Sequence, residues 1–181
     1  MRRIAPLLLT VALGAQEPAT VGLQLRGNFP SDNLKDAVGG KAGFGASLGA
    51  ESELEEAWRG RVVLGYDAFG PGTYQDQSGR RGKVSSSHLS IEVVRMIGQE
   101  GRHGFMGPYV VLGAGAYGWG VTTSDSAAGI SVTRRVIHLG GSFGFGYRFS
   151  PSWDLEVRVT GGRVDPQFLA SYLSLGMTFR F

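Results

Sequence analysis

Leu173-Ser174-Leu175-Gly176-Met177-Thr178-Phe179-Arg180-Phe181 decides how this chain folds. Every odd position is apolar, and Ser174, Gly176, Thr178 and Arg180 fill the even ones. In an extended strand successive side chains point to opposite faces, so a period of two writes one apolar and one polar surface. A helix would need a period near 3.6.

The same alternation runs upstream. From 135 to 149, Ile137, Leu139, Phe143, Phe145, Tyr147 and Phe149 share one face with Gly141. His138, Gly140, Ser142, Gly144, Gly146 and Arg148 share the other. Trp153, Leu155, Val157 and Val159 alternate with Asp154, Glu156 and Arg158. Val21, Leu23 and Leu25 oppose Gly22, Gln24 and Arg26, while Phe44, Ala46, Leu48 and Ala50 oppose a Gly/Ser face. Val62, Leu64 and Tyr66 oppose Arg61, Val63, Gly65 and Asp67; Leu89, Ile91 and Val93 oppose His88, Ser90, Glu92 and Val94. The stretch 108–121 is apolar on both faces, and Val110, Leu112, Ala114 and Ala116 are assigned outward.

These runs predict eight strands, at about 19–27, 40–51, 59–70, 83–97, 107–121, 134–149, 152–162 and 169–181. Long connections at 28–39, 70–82, 122–133 and 163–168 are rich in Gly, Pro, Ser, Asp and Asn. The opposite end has turns at 52–58, 98–106 and 150–151, the last built on Ser150-Pro151. Short helical turns are expected at 33–38 and 52–58.

The faces indicate which side is wet. A strand facing water carries Lys, Glu and Thr, whereas the polar face here is mostly Gly and Ser with isolated charges. Small residues suit the narrow interior of an eight-stranded barrel, and isolated charges of both signs suit an interior that pairs them. The apolar face would then look outward into lipid, with aromatics near strand ends as interfacial girdles. The expected lumen set is Arg26, Asp67, His88, Glu92, His138, Arg148, Asp154, Glu156, Arg158 and Arg180.

Composition narrows the classes. Cysteine is absent, which excludes disulfides, thiolate metal sites and a lipid-modified cysteine. Lys and Arg total 18 against 15 Asp and Glu. Setting aside Arg2 and Arg3 leaves 16 against 15, so the charge gives no reason to expect nucleic-acid binding. Arg2 and Arg3 precede an apolar run from Ile4 to Leu13, with small residues at Ala12, Gly14 and Ala15. That pattern predicts a signal peptide over residues 1–15, cleaved near Gly14 or Ala15, and a barrel domain over 16–181.

Gly144-Phe145-Gly146-Tyr147-Arg148-Phe149 and Leu175-Gly176-Met177-Thr178-Phe179-Arg180-Phe181 resemble strands of the small bacterial outer-membrane β-barrel superfamily, of the OmpA-like transmembrane-domain type. Gly107-Pro108-Tyr109 leading into 112–117 is similar to a central strand of such barrels. Ser174, Gly176, Phe179 and Phe181 resemble the β-signal read by the bacterial barrel-assembly machinery. The resemblance implies an all-β, eight-stranded antiparallel up-and-down transmembrane barrel in the cell outer membrane, reached through the Sec pathway. It implies lipids, lipopolysaccharide and the assembly machinery as partners, and no cofactor.

Such barrels serve as anchors, adhesins, narrow pores and enzymes, so fold alone does not name the activity. A structural or surface-interaction monomer with a side-chain-plugged lumen is the expectation here; a narrow pore and a lipid-A-modifying enzyme are the alternatives. His88-Leu89-Ser90 matches the His-x-Ser of outer-membrane lipid A deacylases, but Ile91 stands where those enzymes carry Asn, and His88 and Ser90 fall on the lumen face. His88 and His138 share no recognisable metal-ligand spacing. Arg80-Arg81 could meet lipopolysaccharide phosphates.

Overall fold

The computed structural model describes residues 19–73, 80–101, 104–125, 128–166 and 168–181. The predicted signal peptide and His103 lie outside them. The elements are β1 (Thr20–Ser31), α1 (Asp32–Ala37), β2 (Gly43–Glu55), β3 (Trp58–Thr73), β4 (Arg80–Met96), β5 (Gln99–Gly101), β6 (Gly104–Asp125), β7 (Ile130–Ser150), β8 (Trp153–Asp165) and β9 (Phe168–Arg180).

Eight of the strands form an antiparallel ring. Each long strand pairs with its sequence neighbour, β4 pairs β6, and β9 pairs β1 to close the circle. β5 stands outside the ring and pairs only with the first residues of β6. Closure leaves no sheet edge through the body of the barrel, a requirement for backbone placed in hydrocarbon.

The register fixes the barrel's dimensions. One row of paired residues runs Val21, Ala50, Val62, Ile91, Ala114, Gly141, Gly161, Ser171 and returns to β1 at Ser31. The row comes back ten residues, 21 to 31, along the strand from where it began. With a rise of about 3.3 Å and strands about 4.8 Å apart, that stagger tilts the strands by about 40° and gives a backbone radius of about 8 Å. Inward side chains from opposite walls meet in such a space.

Strand parity follows the sequence pattern. Leu25, Leu48, Leu64, Leu89, Ile91, Leu112, Leu139, Phe145, Val157 and Leu175 are exposed on the outer wall, and the alternate residues are mostly buried inside. Trp58, Tyr147, Phe149, Trp153, Phe179 and Phe181 form an outward aromatic ring at the end carrying the chain termini. Phe29, Phe44 and Tyr66 lie outward toward the other, loop end.

Three sequence expectations change. Residues 52–58 form no helical turn: β2 continues to Glu55 and β3 begins at Trp58, so two residues make the connection. The segment 98–106 is not a plain turn but a small hairpin of β5 against β6. The segment 122–133 is mostly strand, because β6 and β7 stay paired up to Asp125 and Ile130. β8 leaves β7 at Gly140, so this hairpin rises beyond the closed ring with β3 and β4 beside it. Its polar runs gave no alternation to read, yet Thr122 with Thr133 and Ser124 with Ser131 pair as cross-strand hydroxyls at 3.0 and 3.2 Å. The other expected helical turn is present as α1.

Candidate functional site: a filled barrel interior

Five arginines and five carboxylates are buried inside: Arg26, Arg61, Arg148, Arg158 and Arg180 against Glu51, Asp67, Glu92, Asp154 and Glu156. The formal charges cancel. No lysine is among them, which fits a setting where planar, multi-donor guanidinium groups bridge several acceptors at once.

Toward the loop end, Asp67 of β3 is the hub. Arg26 of β1 grips it in bidentate fashion, Nε to Oδ1 at 2.9 Å and Nη2 to Oδ2 at 3.1 Å. Asn28 donates to the same carboxylate at 2.7 Å and the Tyr172 hydroxyl at 2.8 Å. His88 Nδ1 lies 3.5 Å from it and the imidazole stacks on Tyr117. Glycines make this room. A Cβ on Gly45 would fall 2.0 Å from Asp67 Oδ1, and one on Gly65 would fall 2.4 Å from the His88 ring.

In the middle, Arg158 of β8 binds both oxygens of Glu92 on β4, Nη2 to Oε2 at 3.0 Å and Nη1 to Oε1 more closely. Its Nε also donates to Glu156 at 2.7 Å. Arg61 of β3 reaches Glu92 at 3.3 Å, Glu156 at 3.4 Å and Glu51 at 2.9 Å. Nearer the termini, Glu51 meets Arg148 at 2.7 Å, and Arg180 pairs with Asp154. Tyr109 of β6 donates to Asp154 and Glu156 at 3.0 and 3.1 Å. Every strand of the ring therefore supplies a member, with β6 contributing through a hydroxyl.

An apolar cluster packs at each end. At the loop end α1 and the Val38 that follows it turn Leu34, Ala37 and Val38 inward, onto Phe69, Val84, Tyr117, Trp119, Val164, Ala170 and Tyr172. At the other end Ala57, Val94, Met96, Tyr109 and Val111 pack together. Beside this second cluster, on the β1, β2 and β9 side, a partly open pocket lined by residues including Thr20, Gln24, Glu51, Arg61 and Arg180 has about 20 Å³, room for roughly one water molecule.

Of the ten lumen residues expected from sequence, nine are buried inside, and His138 is the exception. It has the inward parity, paired with Tyr117, but lies on the part of β7 above the last pairing with β8. There it is half-buried and shows no hydrogen bond or ion pair among the described residues. Sequence parity gives the face of a residue but not its height.

Glu51 and Arg61 were absent from the expected set. Arg61 shares the polar face of Asp67, which was its signal; Glu51 sits where the predicted strand ended. Tyr109, Tyr117 and Trp119 lie on the inner face of β6, where both faces read as apolar.

Ser174 and Gly176 point inward, and Phe179 and Phe181 outward. The Ser174 hydroxyl donates to the Arg158 carbonyl at 3.3 Å, and a Cβ on Gly176 would sit 3.2 Å from Gln24 and 3.3 Å from Arg26. His88, Ser90 and Glu92 all face the lumen, with Ser90 donating to Glu92 at 3.5 Å and Glu92 held by Arg158. Among the described residues no group of three or more His, Asp or Glu has metal-binding geometry.

No family model matches the sequence, and no curated protein does. Solved structures do. The attachment invasion locus protein of Yersinia pestis superposes with a TM-score of 0.61 at 14% identity, over 90% of this chain and 97% of that one. The N-terminal β-barrel domain of Pseudomonas aeruginosa OprF gives 0.58 at 15% identity, and Neisserial surface protein A 0.58 at 16%, each with the same coverage. The fold this chain shares with these outer-membrane proteins is that of a small eight-stranded antiparallel β-barrel.

Proposed function

We propose that this chain is a monomeric outer-membrane barrel with a structural or surface-interaction role and a plugged lumen, exported through the Sec pathway and inserted by the barrel-assembly machinery. The observation that carries the reading is the filled interior: a charge-balanced polar core with an apolar cluster packed at each end. That packing opposes a solute path and favours this role over the narrow pore. The inward placement of His88, Ser90 and Glu92 favours it over lipid modification, since an acyl substrate would approach from the outer wall.

The exposed apolar wall, its aromatic ring and the even strand number support a membrane orientation with both termini periplasmic. The β6–β7 hairpin then stands on the cell surface as the working face. Ser174, Gly176, Phe179 and Phe181 serve as the assembly signal.

Conductance across a planar bilayer tests the reading. Purified protein should insert and give no steady current, and surface protease should reach the β6–β7 tip in intact cells. A large, stable open channel would overturn the plugged lumen and favour the pore.

A further inference from the structure

Above its last pair with β8, Gly140 with Gly162, β7 runs on from Leu139 to Ile130 with β6 on one side only. Continuing that register sets Arg163, Val164 and Asp165 level with Leu139, His138 and Ile137, after which β8 turns back into β9. Among the described residues no strand pairs with 130–136 on the β8 side. Alternate residues of that run present backbone N–H and C=O groups to an empty row.

Exposed edges are usually blunted by proline, lysine or a bulge. This one has no proline or lysine, and its register with β6 is unbroken. Ile130 and Val132 are exposed on it, whereas the β6 residues they pair with are Asp125 and Thr123. The aliphatic surface of the hairpin thus sits on its outermost strand.

Charge narrows what fits. Arg134 and Arg135 are adjacent at the middle of the edge, on opposite faces, and both are exposed. β7 carries no acidic residue, and Arg135 has no acidic partner among the described residues. A second copy is a poor occupant, because full antiparallel overlap of 130–139 sets Arg134 against Arg135. Copies upright in one membrane are also related about its normal, so strands tilted about 40° would cross at about 80° rather than pair.

We propose that the β7 edge takes an extended acidic segment of another protein as an added antiparallel strand, with carboxylates opposite Arg134 and Arg135. This partner belongs to the surface-interaction role above and depends on it. Ladder hydrogen bonds supply affinity in such additions, and cross-strand side-chain pairs supply the choice of sequence. In the direction of β8 the segment meets Val136 first and Ile130 last. Its favoured order is therefore one apolar residue, two acidic ones, then β-branched residues. A sulfated glycan matches the arginines but has neither the ladder groups nor the aliphatic side chains.

Fluorescence anisotropy on the full mature barrel in phosphatidylcholine nanodiscs tests it. The probe is the labelled peptide Val-Glu-Glu-Thr-Val-Thr-Ile. Its controls are the peptide with both Glu replaced by Lys, versions N-methylated at every second backbone nitrogen in either phase, and dextran sulfate. The acidic peptide should bind at least about tenfold more tightly than the Lys peptide. N-methylation should abolish binding in one phase and spare it in the other, since only alternate N–H groups face β7. Arg135→Glu, at an exposed position, should erase the preference for acid. No binding of the acidic peptide, equal binding of the Lys peptide, equal effects of the two methylated phases, or an unchanged preference in Arg135→Glu overturns the proposal. Dextran sulfate binding more tightly than the peptide, and lost in Arg135→Glu, overturns it in favour of a sulfated glycan. Liposome insertion and the lack of steady current are scored separately. Failure there defeats the surface-barrel reading, whereas an inserted, closed barrel without selective peptide binding defeats the edge site alone.

Discussion

Glu92 and Arg158 meet across the lumen from β4 and β8, strands that are not neighbours in the ring, with Arg158 Nη2 3.0 Å from Glu92 Oε2. Glu92 also accepts from Arg61 at 3.3 Å, so three strands converge on one carboxylate.

Removing that carboxylate should cost more than removing the pair. Glu92→Ala takes one carboxylate from both Arg158 and Arg61 and leaves the buried charges out of balance, a loss of about 3–5 kcal/mol. Glu92→Leu with Arg158→Met removes both charges and should cost less. Urea titration of the folded barrel in bilayers, read by tryptophan fluorescence, compares them. A double variant weaker than Glu92→Ala would mean the pair itself is a net stabiliser.

The Asp67 hub depends on absent side chains. Gly45→Ala pushes a methyl into Asp67 and Arg26 and should destabilise by about 1–3 kcal/mol through overpacking. Gly27→Ala, with open space around it, is the matched control. Equal urea midpoints for both variants would remove the close-packed hub.

Lipid-facing substitutions should scale with depth. Leu175 lies midway along β9, paired with Gly27 and Val157, so Leu175→Arg should cost about 2–4 kcal/mol in a bilayer. Leu139 lies at the last closed row before the hairpin rises, and Leu139→Arg should cost only about 0–1 kcal/mol there. Unfolding free energies in phosphatidylcholine vesicles check the order; equal costs would contradict the tilt derived from the register.

Assembly should depend on the outward aromatics of β9. Deleting Phe181, or Phe179→Asp, should leave periplasmic, heat-insensitive material where the wild type is membrane-embedded and heat-modifiable. Normal insertion of both variants would dismiss Ser174, Gly176, Phe179 and Phe181 as a signal. Intact mass of the same extracted protein should show a chain starting near Gln16, and one still beginning at Met1 would exclude export by cleavage.

Strand faces were legible because a two-residue period survives any single irregular position: Leu89, Ile91 and Val93 face out whatever their height. Height was not legible. His138 and Arg148 share a face of one strand, yet the pairing with β8 ends between them, at Gly140, which leaves one above the ring and the other among its charges. Nor was the partnering, since Arg158 meets Glu92 through geometry that depends on the whole circle. Glu51 shows a third limit, because a strand end is read from fading alternation, and inward charge near a rim looks like a polar turn.

Closing the ring also sets an order of events for the chain. β1 pairs with β9, bringing Gly22 to Arg180 and Ser31 to Ser171, so the first strand cannot be satisfied until the last has arrived. Contacts so distant in sequence form slowly. Until then two raw edges and the whole greasy wall are uncovered, so an unclosed chain is exposed to pairing with its own copies. A shortened chain lacking β9 would keep those edges for good and should be a substrate for degradation rather than a smaller barrel.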